Sequence, residues 1–147
     1  QLGIIDSWGT ALARTGSYNS DWAGHIIGDG YIAMGNNLQG EHVAKAMAAA
    51  LEDSFDLDLE VRLLHGLEAG TAAGGQHGGQ RSAALIVYET ESYPLMSLRV
   101  DDHPEPVADL RRIFDKFHPL LPYYRQRPID PDLPKVYDWA KQQGIEL

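Results

Sequence analysis

The chain has 147 residues, of which 44% are hydrophobic and 22% charged, and 21 acidic against 12 basic side chains give a net charge of −9. That is one ordinary domain with enough apolar matter for a core, and the acidic balance argues against a nucleic-acid partner, which needs clustered Lys and Arg. Cysteine is absent, so disulfides and thiolate metal sites are excluded and a reducing, cytoplasmic compartment is compatible; no apolar run approaches the roughly 20 residues of a membrane span.

In chain order, residues 2–16 predict a β-hairpin, with apolar-rich runs Leu2–Asp6 and Thr10–Arg14 around a Ser7-Trp8-Gly9 turn. Residues 24–36 predict a second hairpin, turning at Gly28-Asp29-Gly30. From Glu41 the apolar period becomes helical: Val43, Met47, Ala50 and Leu51 predict a helix over 40–53. A second helix is expected over 57–69, with Gly70 as its stop. The glycine loop 73–80 leads into Ser82–Tyr88, a nearly continuous apolar run that reads as a strand buried on both faces. Leu95–Val100 alternates and reads as its partner strand. Pro104 opens a third helix carrying Val107, Leu110, Phe114 and Phe117. Residues 119–134 hold five prolines and predict an extended connector, before a last short helix over 135–143. Strands followed by helices suggest sheets covered by helices, and open strand edges make self-association into a homo-oligomer an expectation.

Several chemical motifs fail on inspection. Gly74 and Gly79 have the spacing of a phosphate-binding loop, but Gln80 and Arg81 replace the required Lys and Ser/Thr, and a strand follows instead of a helix. The six histidines show no His-x-His or His-x-x-x-His pattern, and no metal or other cofactor is expected. Asp101-Asp102-His103 is the densest polar cluster. It reads either as a helix cap ahead of Pro104 or as a functional group of side chains. Trp8 and Trp22 read as core aromatics, with ligand stacking as the alternative.

Four stretches together resemble one family. They are Trp22-Ala23-Gly24-His25; Gly30-Tyr31 through Gly35-Asn36 and Gly40-Glu41; Ala69-Gly70 through Gly74-Gly75 with Gly79-Gln80-Arg81-Ser82-Ala83-Ala84; and Leu98 through Pro104, followed by Pro106 and Leu110-Arg111-Arg112. The chain is similar over about 2–117 to the domain-of-unknown-function 1028 family, grouped with the N-terminal-nucleophile hydrolases. The resemblance implies an α+β fold, an αββα sandwich of two antiparallel sheets between helix layers, incomplete in this chain. It implies an N-terminal segment of the same protein as partner, bearing the nucleophile that Gln1 does not provide. It leaves 118–147 as a Pro-rich extension, a region labelled peptidoglycan-binding in some members.

The chemistry expected of such a site is amide hydrolysis, with a terminal Ser, Thr or Cys as nucleophile and its own amine as base. Asn36, after Gly35 at a strand end, is then a candidate oxyanion donor, or else a turn residue tolerating positive φ. Asp101, Asp102 and His103 are candidates to orient amine or substrate. His25, Gly75, Gly79 and Gln80 are candidate substrate contacts. The competing expectation is a non-catalytic ligand-binding or interaction protein on the same fold.

Overall fold

The computed structural model describes residues 1–147. It is an α+β arrangement of three antiparallel hairpins and five helices. The first hairpin pairs β1 (Leu2–Ile5) with β2 (Ala11–Arg14) in the register Ile4↔Leu12. Its turn is held by Asp6, whose Oδ1 accepts the backbone N–H of Trp8 at 2.9 Å and of Thr10 at 2.8 Å. Trp8 is no core aromatic: it sits at the turn tip, 88% exposed. Trp22 is half-buried.

The second hairpin pairs β3 (Gly24–Gly28) with β4 (Tyr31–Gly35) through an Asp29-Gly30 turn, with Gly30 at φ 71°. Gly28 is required there by a close approach. A Cβ at this position would overlap the ring of Tyr31, whose hydroxyl donates to Glu52 Oε1 at 2.6 Å on the neighbouring helix. The first hairpin lies face to face on the second, because Gly3 leaves room for Met34 and Ile32. The other side of the second hairpin is covered by α1 (Glu41–Asp53), which buries Val43, Ala44, Ala48 and Leu51. A helix, a hairpin and a second hairpin are thus stacked in that order.

Helix α1 packs along α2 (Leu59–Ala72). Gly70 does not stop α2. It lies inside the helix, buried, because the two helices approach so closely that a Cβ would stand 2.8 Å from Met47 Cγ. Packing has overridden the weak helix propensity of glycine.

The third hairpin pairs β5 (Ala83–Val87) with β6 (Met96–Val100). Its inner face supplies Leu85, Val87, Met96, Leu98 and Val100 to a core shared with Leu64, Leu110, Phe114 and Leu121. The strand β5 is not buried on both faces: Ile86 is 55% exposed, and Ala84 is exposed beside it. Helices α2 and α3 (Pro106–Phe117) cover one side only. The third helix starts at Pro106, not Pro104, with Glu105 as its N-cap.

The expected extended connector is also different. His118–Leu120 forms a 3₁₀ turn, and Leu121–Gln126 forms a helix, α4, with Pro119 and Pro122 in the first turns, where a missing N–H costs nothing. Leu121 reaches the main core, and Tyr123 packs on Trp139 of α5 (Val136–Gln142).

Candidate functional site

The open ends of the first two hairpins meet in a polar network. The Thr15 hydroxyl lies 2.8 Å from His25 Nδ1. Gln1 Nε2 donates to Thr15 Oγ1 at 3.0 Å, to the Gly24 carbonyl at 2.9 Å and to the Gly35 carbonyl at 3.1 Å. Asn36 Nδ2 reaches Gln1 Oε1 at 3.4 Å. The stacking of two hairpins creates this meeting point, since the strand ends at Thr15, His25 and Asn36 come from three different strands. Asn36 does not take positive φ; its neighbour Asn37 does, at 57°. The amide of Asn36 is exposed and available to a ligand.

Next to this network the glycine loop is stitched to residues 37–39. Gln39 N–H donates to the Gly75 carbonyl, His77 N–H donates to the Asn37 carbonyl, and Leu38 pairs with Gln76. Gly75, at φ 58°, also faces the Gln80 side chain, so a Cβ would meet Gln80 Oε1 at 2.5 Å. Gln80 Nε2 in turn donates to Thr71 Oγ1 at 2.8 Å. The loop therefore has a fixed shape for a backbone reason, and no phosphate cradle is built on it.

Between the second hairpin, α1, α2 and β5 runs a cleft of about 280 Å³. Its floor is apolar, from Leu38, Met47 and Leu67, and its mouth is polar, from Thr71, Gln80 and Arg81. Gly35 and Gly75 both line it, so the cleft and the polar network share a wall. Gly79 lies instead in a neighbouring depression, with Pro104 and Glu105.

The Asp101-Asp102-His103 cluster stands at the end of β6, and its members are engaged separately. Arg81 Nη2 holds Asp102 Oδ1 at 2.6 Å, and Arg99 Nε holds Asp101 Oδ2 at 2.8 Å, both on the surface. His103 N–H donates to the Arg81 carbonyl, and His103 Nδ1 accepts the Glu105 N–H at 3.1 Å. His103 thereby shapes the entry to α3 without a side-chain bond into the helix itself. Asp102 takes φ 48°, a conformation Asp tolerates better than most residues. Arg81 joins this cluster to the cleft mouth.

The site thus draws together His25, Asn36, Gly75 and Gln80, and links Asp102 to them through Arg81. Asp101, His103 and Gly79 stand further out. Thr15 and Arg81 are not among the candidate site residues, although Arg81 lies in one of the family stretches. Only the stacking of the hairpins and the pairing of β5 with β6 give them their partners.

These features define an α+β protein of antiparallel hairpins packed under helices, with one polar-rimmed cleft beside the hairpin ends. The chain belongs to the family of unknown function DUF1028, which matches residues 1–110. A crystal structure of a protein from Silicibacter pomeroyi, assigned to the same family, is similar at 33% identity with a TM-score of 0.71, covering 95% of this chain and 55% of that one. The chain therefore spans about half the length of that relative. A comparison with curated proteins finds no match. No helix is long and apolar enough to cross a membrane.

Proposed function

We propose that this chain is the cleft-bearing part of an amide hydrolase of the N-terminal-nucleophile type, its nucleophile coming from an N-terminal segment of the same protein. The observation that carries this reading is the helix–hairpin–hairpin stack ending in the Thr15–His25–Asn36 network beside the cleft. It fits part of an αββα sandwich.

Two apolar surfaces support a further segment. Leu2, Ile4 and Leu12 are 54–70% exposed on the outer face of the first hairpin, and Ile86 and Tyr88 are 55–60% exposed on the third. Apolar faces of this kind are normally covered. A second copy of the chain could cover them too, giving the homo-oligomer expected from the open edges.

In this reading a terminal hydroxyl or thiol adds to the amide carbonyl, and the free α-amine takes its proton; an ordinary α-amine pKa near 7.7–8.0 suits that task. The amine of the substrate leaves with that proton, and water then hydrolyses the acyl-enzyme. Asn36 Nδ2 donates to the tetrahedral oxyanion. Gln80 and the Gly75 backbone contact substrate in the cleft, and Arg81 carries Asp102 to its mouth.

The test is intact mass and N-terminal sequencing of the full-length protein, followed by an amide screen with the Asn36→Ala and Asp102→Ala variants. A chain starting with Ser, Thr or Cys and a loss of about 10²-fold or more in Asn36→Ala are expected. Unchanged turnover in both variants would sink the assignment.

A second reading, a non-catalytic binding protein, is favoured by one observation: Asp101 and Asp102 already have arginine partners. It predicts small-molecule binding in the cleft without turnover, and a mature first residue that lacks a hydroxyl or thiol.

A further inference from the structure

We infer that Asp58, Glu60 and His118 form a divalent-cation site of the zinc type, at the opposite end of α2 from the cleft. The three offer ligand atoms that all lie within 4.8 Å of one another. His118 Nε2 stands 3.4 Å from Glu60 Oε1. Two ligands at about 2.0–2.1 Å from a tetrahedral zinc ion lie about 3.3–3.4 Å apart. The His118–Glu60 pair already has that spacing.

Two further observations point to a ligand. The Glu60 side chain is 3% exposed, and its Oε1 has no hydrogen-bond partner. A buried carboxylate oxygen left without a partner is costly. Asp58 occupies the N-cap of α2, where Asp normally accepts a backbone N–H, yet it makes no such bond. One of its carboxylate oxygens lies within 4.8 Å of the Glu60 and His118 ligand atoms.

Two carboxylates side by side, one of them buried, call for positive charge. Arg125 is a nearby cation within electrostatic reach of both carboxylates. Both oxygens of Glu89 hold its guanidinium, at 3.1 Å each, and no hydrogen bond joins it to Glu60 or Asp58. His118 alone could supply a proton, but at 3.4 Å it makes no hydrogen bond to the buried Glu60 Oε1. A divalent ion answers all three groups at once.

The donor set decides the class of ion. One imidazole and two carboxylates, with no thiolate, suit zinc or a similar borderline ion, and leave a fourth position to water. The imidazole ring stacks on Phe114 at 4.8 Å between centroids, which fixes its direction. Asp58 and Glu60 open α2, and His118 opens the turn after α3. The ion would tie the start of α2 to the junction of α3 and α4. Along α2, at about 1.5 Å per residue, Asp58 and Glu60 stand about 10–14 Å from Leu67 on the cleft floor, and the two sites share no residue.

The test uses the metal-free full-length protein, titrated with ZnCl₂ by calorimetry and with Co²⁺ by visible absorption. One equivalent of Zn²⁺ is expected to bind and raise the Tm, and Co²⁺ is expected to give the ligand-field bands of a four-coordinate site. His118→Ala and Asp58→Asn should each weaken binding at least tenfold. Asp58 is exposed, so its variant keeps the fold if Glu60→Gln does not. Absence of binding overturns the inference. So does binding of unchanged strength in both variants, which would place the ion on other histidines. A metal-free protein whose Tm Zn²⁺ does not move would make the cluster a plain ion pair and also overturn it.

Discussion

The hydroxyl of Thr15 and Nδ1 of His25 lie 2.8 Å apart, although they sit on different hairpins and neither belongs to a motif with the other. This bond, with the Gln1 contacts around it, ties the end of β2 to the start of β3. Thr15 is half-buried, so its loss leaves a ring nitrogen with no protein partner. Thr15→Val should destabilise the protein by about 1–3 kcal/mol, whereas Thr15→Ser should be near neutral. Urea unfolding of the two variants checks this. Equal stability would mean that water replaces the hydroxyl freely.

The outer face of the third hairpin gives a second prediction. Ile86 is 55% exposed, and Tyr88 beyond it is 60% exposed. If another part of the same protein covers this face, Ile86→Lys in the full-length protein buries an unpaired charge and costs about 1–3 kcal/mol. Tyr137, 74% exposed on α5, is the control, and Tyr137→Lys should stay within about 0.5 kcal/mol. Equal effects would leave the face open in the whole protein.

Much of the fold was legible in the sequence, because the signals were local. The Asp29-Gly30 turn, the 3.6-residue period after Glu41 and the alternation of Met96, Leu98 and Val100 each act over a few residues. What was missed depended on distant contacts. Gly70 has the chemistry of a helix stop, yet Met47 on the neighbouring helix keeps it inside α2. The apolar run at Ala83–Val87 could not reveal that helices cover one face only. The prolines at 119 and 122 read as breakers, but each falls in a first turn. At the site, Asn36, Gly75 and Gln80 were legible beside glycines at element ends. Thr15 and the Asp58–Glu60–His118 group were not, because no sequence spacing encodes a pairing across hairpins or between residues 60 and 118.

Acid stability should depend on Glu68. Arg111 holds both of its oxygens, at 2.7 and 2.9 Å. That bond is the main reason its carboxyl sits below the usual 4.5, and burial opposes it. A carboxyl whose pKa is lowered by folding stabilises the fold above its unfolded value. The contribution is lost as the pH falls through the folded value. The pair is about one-third exposed, so its worth is at most about 1 kcal/mol. Between pH 5 and pH 3 the wild type should lose more Tm than Glu68→Gln, measured side by side. Parallel curves would show that the pair contributes nothing.

At the alkaline end the pH dependence has the opposite sign. Tyr31 packs over Gly28, and its hydroxyl donates to Glu52 Oε1 at 2.6 Å, joining the second hairpin to α1. Desolvation first, then the bond to Glu52, push its pKa up to about 12. A phenol whose folded pKa is raised stabilises the fold fully below the unfolded value near 10, and the contribution fades as the pH climbs towards 12. Titration of tyrosinate absorbance should therefore show one late phase among the seven tyrosines, and Tyr31→Phe should remove it. Glu52→Gln should move that phase earlier without abolishing it, because the ring remains packed on Gly28 while the charge that opposes ionisation is gone. If the late phase survives in Tyr31→Phe, another tyrosine carries it, and the hydroxyl of Tyr31 is not held to α1 in solution.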